Sequence, residues 1–166
     1  YTGGARGFAA VPETRDRFRT DFRRALRYAQ TLGAQHLHIM SGVAEGEDAQ
    51  TTLIENLIWA CETAPDQSLT IEPINIHDMP GYFLSDFDLA ADVIRSVGAP
   101  TLGLQFDGYH AHRITGDLMG TWDRFGPMAR HVQFADHPGR HEPGSGEIDL
   151  RGFFSRLDAD GYAGWA

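Results

Sequence analysis

The sequence has little cysteine, little positive charge and no long apolar run, and each shortage excludes a class of protein. Its single cysteine, Cys61, rules out a disulfide framework within the chain and favours a reducing compartment. Fourteen Lys and Arg stand against 23 Asp and Glu, a formal net charge of −9, which argues against nucleic acid because phosphate backbones are bound by basic clusters. Nothing approaches the roughly 18 consecutive apolar residues of a membrane span, and the N-terminal stretch lacks the basic-then-apolar order of a signal peptide. We expect a soluble, cytoplasmic protein that binds neither nucleic acid nor a membrane.

The composition supports a substantial core in one domain. The 166 residues are 42% hydrophobic, and no linker or shift in composition marks an internal boundary. The chain begins without Met in the glycine-rich segment 1–7 and stops at 161–166, where a new apolar stretch begins. We therefore expect a single domain over residues 1–166 that is incomplete at both termini.

Short extended runs alternate with helical patterns along the chain. Because parallel neighbouring strands need a long crossover connection, this alternation predicts an α/β fold with a parallel sheet. Predicted helices lie around 12–33, 53–61, 87–94, 116–125 and 150–157, and predicted strands at 36–40, 69–72, 101–107 and 131–135, with a further strand beginning at Trp165.

Two parallel architectures fit this order of elements, an open doubly wound sheet and a closed eight-stranded barrel. An open sheet that binds a nucleotide is expected to carry a glycine-rich fingerprint after its first strand, and this sequence has none. The positions of the polar residues favour the barrel.

Glu72, Asp107 and Gln133 stand at or near the carboxyl ends of three successive predicted strands. Pro73 pushes Glu72 out of the helical region and so keeps it extended. In a barrel these strand ends face one mouth, where the active sites of the fold lie. Singly, a Glu or Asp at a strand end is more often a helix cap or a member of a surface ion pair. Together, three oxygen ligands predict a site for a divalent cation such as Mg²⁺ or Mn²⁺.

Two other polar residues are candidates for substrate contacts, and two histidines are candidates for the interior. His110 follows closely after the second of these strand ends and either leans over the mouth or is a solvated loop histidine. Arg140, in the charged loop 136–147, can pair bidentately with a substrate carboxylate, although most charges of this loop are expected to be solvated. His36 and His38 share one face of their strand, and we expect at least one of them in the interior.

Longer motifs resemble the hydroxypyruvate isomerase family, which belongs to the xylose-isomerase-like barrels. The resemblance covers essentially all 166 residues and implies a partial (β/α)8 TIM barrel, roughly strands 4 to 8 with their helices. The motifs that carry it are Ile71–Asn75, Asp78–Phe83, Leu104–His110, His131–Gln133 and Pro138–Glu147, supported by Leu37–Gly42 and Gly161–Trp165.

The resemblance also implies roles for the candidate residues. Glu72, Asp107 and Gln133 would be metal ligands from the fifth, sixth and seventh strands, Glu72 would also transfer a proton, and His110 would contact the substrate. The family's fourth ligand, a second acid/base glutamate, is expected shortly after Trp165, so we expect this fragment alone to be inactive. Sister sugar isomerases and epimerases have a histidine where this chain has Gln133, which favours the hydroxypyruvate branch.

The activity implied is metal-dependent isomerisation of hydroxypyruvate to 2-hydroxy-3-oxopropanoate (tartronate semialdehyde) through an enediolate, an intramolecular aldose–ketose isomerase reaction. A related sugar or 2-dehydrotetronate isomerase or epimerase is the alternative within this class. An abasic-site endonuclease with a zinc cluster shares the barrel but needs a basic groove, which the net charge disfavours. A non-catalytic truncated barrel, associating through open sheet edges, is the third hypothesis. Metal identity and homo-oligomerisation stay open.

Overall fold

The computed structural model describes residues 5–166, so the first four residues of the glycine-rich segment lie outside the described part of the chain. The sheet in this part of the chain has four strands that lie side by side in sequence order, and each adjacent pair is parallel. Parallel strands that neighbour one another in sequence, each joined to the next across a helix, are the pattern of a β/α barrel, and the prediction of a partial barrel is confirmed. The strands are β1 (His36–His38), β2 (Ser68–Ile71), β3 (Leu102–Asp107) and β4 (Ala129–Gln133).

Six α-helices connect and cover these strands in residues 5–166. Local signals fix several helix ends: Gly33 closes the first helix at φ 65°, and the Asp86 side chain accepts a hydrogen bond from Leu89 N at the start of the third. The helices are α1 (Arg15–Leu32), α2 (Gly46–Thr63), α3 (Phe87–Val97), α4 (Gly108–Thr115), α5 (Leu118–Phe125) and α6 (Leu150–Ala159), with 3-10 turns at Pro12–Thr14 and Gly126–Met128.

Helix α4 differs from the sequence-based interpretation, which left open a solvated loop after Asp107. The Asp107 side chain accepts hydrogen bonds from Tyr109 N at 2.8 Å and His110 N at 3.3 Å, so the strand-end carboxylate also caps a helix. His110 therefore lies in the first turn of α4 and is only 1% exposed. The alternative of a solvated loop histidine is wrong for this residue.

The stretch before the C-terminus is also not a strand in the described structure. The Trp165 carbonyl instead accepts a hydrogen bond from Val132 N at 3.3 Å, so this segment lies along the outer edge of β4. Within residues 5–166 the stretch at Trp165 contributes this backbone contact to the sheet and no assigned strand.

The core lies between the sheet and its helices, and Phe106 of β3 is at its centre. Its ring contacts Phe87 of α3, Trp122 of α5 and Phe153 of α6 with centroid separations of 5.4, 5.1 and 5.8 Å. Successive side chains of a strand point to opposite faces, so Gln105 and Asp107 face away from this aromatic cluster. That alternation directs polar side chains of β3 to the inner face of the sheet.

The helices within residues 5–166 are either too short or too polar to cross a lipid bilayer.

Candidate active site

The carboxyl ends of three neighbouring strands bring Glu72, Asp107 and Gln133 to one place. Glu72 directly follows β2, and Asp107 and Gln133 are the last residues of β3 and β4, where they are register partners. Glu72 and Asp107 are 5% and 2% exposed, whereas Gln133 is exposed. Two buried carboxylates and one solvent-facing amide therefore meet at the mouth of the curled sheet.

Gln105 joins two of these side chains into one network. Its Nε2 donates hydrogen bonds to Glu72 Oε2 at 2.9 Å and to Gln133 Oε1 at 2.8 Å, and its Oε1 accepts from Thr70 Oγ1 at 3.3 Å. The amide thereby holds a carboxylate oxygen and an amide oxygen on either side of one nitrogen. The sequence analysis did not identify Gln105. The available signal is its position two residues before Asp107, because side chains two positions apart on a strand point to the same face.

His110 is oriented by Asn75, a second residue that sequence reasoning did not assign to the site. Asn75 Oδ1 accepts hydrogen bonds from His77 N and Asp78 N, which turns its Nδ2 toward His110 Nδ1 at 2.7 Å. Asn75 N also donates to this nitrogen, at 3.4 Å. Because Nδ1 accepts, the proton of the neutral imidazole is on Nε2.

The protonated nitrogen of His110 points between the two carboxylates. Nε2 lies 3.8 Å from Asp107 Oδ2 and 3.9 Å from Glu72 Oε1. These separations are longer than a hydrogen bond, so the donor is free to reach an oxygen atom placed between them. Burial lowers the pKa of His110, while the charge of Asp107 acts in the opposite direction. His110 is thus a neutral hydrogen-bond donor aimed into the site.

Arg140 reaches the same place from the loop 136–147. Its guanidinium donates to Asp107 Oδ2 at 3.2 Å and lies 5.2 Å from the centre of the Tyr109 ring. Its side chain is 49% exposed, so the group is open to a solute. The prediction that most charges of this loop are solvated describes His141 and Glu147, which are exposed.

The loop that carries Arg140 is held by a buried carboxylate. Asp136 accepts hydrogen bonds from His137 N, Gly144 N and Ile148 N at 2.9 to 3.1 Å, and its own backbone N donates to the His141 carbonyl at 2.9 Å. Burial raises the pKa of Asp136, but the backbone N–H donors outweigh it and leave the pKa below the ordinary value.

The electrostatics of the site are dominated by two carboxylates with little positive charge beside them. Burial, and then the charge of Asp107, raises the pKa of Glu72 to about 8, against the opposing effects of the Gln105 hydrogen bond and Arg140. His38, whose Nε2 lies 3.5 Å from Glu72 Oε2, has its pKa lowered to about 4 by burial and then by His131, so it is neutral. At neutral pH the metal-free site therefore holds a proton on Glu72.

These residues fit a divalent metal ion. Ligand atoms of Glu72, Asp107 and His110 all lie within 4.8 Å of one another, and the repulsion that raises the pKa of Glu72 is what a cation would relieve. Because Nε2 of His110 carries a proton, the donors that remain are oxygens of Glu72, Asp107 and Gln133. Such a set suits Mg²⁺ or Mn²⁺.

All five residues singled out from the sequence thus lie at one site. The carboxylates of Glu72 and Asp107 lie close to the imidazole of His110, and the Arg140 guanidinium contacts Asp107. The Gln133 side chain is linked to Glu72 through the Gln105 amide. The assignment of metal-binding, proton-transfer and substrate-contacting roles among them remains a prediction. The five are Glu72, Asp107, His110, Gln133 and Arg140.

Comparisons with known proteins identify relatives of this chain. The family described as xylose isomerase-like TIM barrel matches residues 2–166. The chain is similar to the 2-oxo-tetronate isomerase of Cupriavidus necator, at 39% identity over 99% of this chain and 66% of that protein. It is similar to the hydroxypyruvate isomerase of Escherichia coli, at 36% identity over the same shares. The crystal structure of AP endonuclease, family 2 from Brucella melitensis is 37% identical, with a TM-score of 0.91 over 96% of this chain and 64% of that one. The chain therefore spans just under two thirds of the length of these relatives.

Proposed function

Because this chain belongs to the xylose isomerase-like TIM barrel family, we propose that the full-length protein is an intramolecular isomerase of small hydroxy-carbonyl acids. The substrate we propose is hydroxypyruvate, which would be converted to 2-hydroxy-3-oxopropanoate. The observation that carries the proposal is the buried carboxylate of Glu72, which Gln105 holds at the point toward which His110 and Arg140 are directed. The two curated relatives at 36% and 39% identity are named as isomerases of this kind of acid, which supports it.

The reaction moves a hydrogen between adjacent carbons, so the site must take a proton from carbon and return it to the neighbouring carbon. Glu72 is the group we assign to this transfer. Burial beside Asp107 raises the pKa of Glu72 when no metal is bound, and a cation held by both carboxylates would lower it again, which leaves Glu72 ionised to act as the base. The Gln105 amide holds Glu72 in one orientation, as a proton transfer over a short distance requires.

The remaining residues bind and orient the substrate. His110 would donate its Nε2 proton to a substrate oxygen, because Asn75 keeps the other ring nitrogen an acceptor. Arg140 would exchange its contact with Asp107 for the substrate carboxylate, which its planar guanidinium can bind through two hydrogen bonds. Mg²⁺ or Mn²⁺ held by oxygens of Glu72, Asp107 and Gln133 would supply Lewis-acid stabilisation of the charge that develops on the substrate oxygens.

Replacing Glu72 with Gln tests the proposal. Full-length protein with Mg²⁺ or Mn²⁺ is incubated with hydroxypyruvate in D₂O, and proton NMR follows both the product and the incorporation of deuterium at carbon. Loss of a general base costs about 10²-fold or more in rate, so we expect turnover and exchange to fall together in Glu72→Gln. The matched control is Glu62→Gln, at an exposed glutamate of α2.

Two outcomes would contradict the proposal at different levels. Activity of Glu72→Gln within a few-fold of the parent would remove Glu72 from proton transfer while leaving the isomerase in place. Absence of turnover by the parent protein with either metal and with either substrate named below would reject the isomerase function.

The four-carbon acid 2-oxo-tetronate is the second candidate substrate, because the relative at 39% identity is named for it. Both acids present a carboxylate to Arg140 and a hydroxy-carbonyl pair to His110 and Glu72, so these contacts do not distinguish them. Parallel measurements of kcat/KM for the two acids decide between them. The pocket around the additional carbon of the four-carbon acid affects kcat/KM for that acid alone.

The endonuclease alternative has less support. The Brucella melitensis structure carries that description, but this chain has a formal net charge of −9, and an acidic protein does not attract a DNA backbone. In this chain, the side chains of Glu72, Asp107 and Gln133 offer oxygen donors, whereas a zinc cluster favours imidazole donors as well. Gel-shift binding to DNA with an abasic site would revive this alternative.

A further inference from the structure

A second cluster of metal-binding side chains lies beside the active site and shares no residue with it. His112 is in the last turns of α4, and His137 and Glu147 stand near the two ends of the loop 136–147 that carries Arg140. Glu147 Oε1 lies 3.4 Å from His112 Nε2 and 3.6 Å from His137 Nε2, and the three ligand atoms are all within 4.8 Å of one another. We propose that these three residues form a second metal site, which takes Zn²⁺ or a similar borderline cation.

The spacing of the ligand atoms matches coordination better than direct hydrogen bonding. In a tetrahedral site with bonds of about 2.1 Å, neighbouring ligand atoms lie roughly 3.4 Å apart. The distances from Glu147 Oε1 to the two imidazole nitrogens, 3.4 and 3.6 Å, are close to this separation of ligand atoms. Both exceed the roughly 2.7 to 3.2 Å of a well-formed hydrogen bond between nitrogen and oxygen. The side chains are thus arranged as they would be around a small cation.

The chemistry of this cluster differs from that of the first site. Two imidazoles and one carboxylate are a donor set that suits zinc, whereas the oxygen donors of Glu72, Asp107 and Gln133 suit Mg²⁺ or Mn²⁺. The side chains of His112, His137 and Glu147 are 23%, 20% and 63% exposed. An ion can therefore enter from solvent, and a water molecule can take the fourth position.

One neighbouring contact would have to give way. Arg113 NH1 lies 3.4 Å from His137 Nδ1, but ligation through Nε2 places the proton of the neutral imidazole on Nδ1. The two arrangements exclude each other, and Arg113 would be left to its other partner, Asp78, whose Oδ1 is 4.0 Å away. Both contacts of Arg113 are long, so the arrangement that is lost is a weak one.

Binding of an ion here would tie the Arg140 loop to α4 at two points. The first turn of α4 carries His110, and the loop carries Arg140, which are the two substrate contacts of the proposed function. The ion would therefore restrict the motion of one substrate contact relative to the other. This consequence for activity rests on the proposed function, but the binding of the ion itself does not.

The test is a zinc titration of the full-length protein after removal of bound metal with a chelator. Glu72→Gln with Asp107→Asn removes the first site, and calorimetry then reports one Zn²⁺ per chain if the second site exists. His112→Gln, His137→Asn and Glu147→Gln should each weaken zinc binding by about 100-fold or more, because even changes outside the ligand shell cost 10- to 100-fold. His141→Gln and Glu142→Gln, exposed in the same loop, are the matched controls and should leave the affinity unchanged.

A second measurement in the parent protein keeps the test independent of whether the double variant folds. The ring ¹⁵N signals of His112 and His137 should shift on addition of Zn²⁺ and not on addition of Mg²⁺. Zinc binding that is insensitive to all three ligand substitutions, or ring signals that do not move, would overturn the site. Absence of turnover by the parent protein with either acid, together with intact zinc binding, would reject the proposed function and leave this site standing.

Discussion

Glu72→Gln should change the pH dependence of stability in the metal-free protein. Burial and the charge of Asp107 raise the pKa of Glu72 from the ordinary 4.5 to about 8. Between these two values the folded state keeps a proton that the unfolded chain releases, so the free energy of unfolding falls as the pH rises. The stabilising effect of the protonated carboxyl is complete below pH 4.5 and is lost by the time the pH passes 8.

The size of the effect follows from the same interval. At roughly 1.4 kcal/mol per pH unit, the range from 4.5 to about 8 corresponds to about 5 kcal/mol, a large share of the roughly 5 to 15 kcal/mol that stabilises a typical domain. Glutamine stays neutral at every pH and retains a carbonyl oxygen for the Gln105 N–H donor. We therefore expect Glu72→Gln and the parent to unfold at similar free energies at pH 4.5 and to differ by about 5 kcal/mol, in favour of the variant, at pH 9.

Urea unfolding followed by circular dichroism at pH 4.5, 7 and 9, with a chelator present, measures this difference. Glu62→Gln, exposed on α2, should keep the pH dependence of the parent. Parallel curves for Glu72→Gln and the parent would refute the reasoning. Addition of Mn²⁺ should then stabilise the parent at pH 9 far more than Glu72→Gln, because a cation binds the ionised carboxylate.

Two further substitutions test the groups that position the site. Asn75→Leu removes the side-chain donor to His110 Nδ1 and leaves only the longer contact from the Asn75 backbone N, so we expect kcat/KM to fall roughly tenfold and the ring ¹⁵N signals of His110 to show a changed tautomer. An unchanged spectrum would exclude the positioning role. Asp136→Asn weakens the hydrogen bonds from Gly144 N and Ile148 N, so we expect a lower Tm at pH 7. Because the pKa of Asp136 is below its ordinary 3.8, that difference should shrink as the pH falls below this value, and calorimetry at pH 7 and pH 3 measures it.

The strands were predictable from the sequence because their signals are local. The apolar runs before Glu72 and Asp107 correspond to β2 and β3 within a residue, and alternation along β3 separates the core-facing Phe106 from the inward-facing positions on either side of it. A chain with parallel strands brings their carboxyl ends to one edge, so the convergence of Glu72, Asp107 and Gln133 followed from their positions alone.

The spacing of apolar residues did not predict helix α4 directly after β3, where Asp107 both ends the strand and caps the helix. Asp107 was identified as a strand-end carboxylate, but its hydrogen bonds to Tyr109 N and His110 N also begin α4. That second role depends on the direction in which the chain leaves the strand, which the spacing of apolar residues does not describe. The burial of His110 is a consequence of this helix.

The sequence by itself determined the residue types of the site and the order in which parallel strands present them, because both depend on local pattern and on the rules of β/α connection. Only the tertiary structure decided how those side chains are held and charged. The Gln105 bridge and the Asn75 contact to His110 join residues 28 to 35 positions apart, and the pKa of Glu72 near 8 arises from burial and from Asp107 on another strand. Such effects depend on distance through space, and the chain acquires those distances only when the sheet curls.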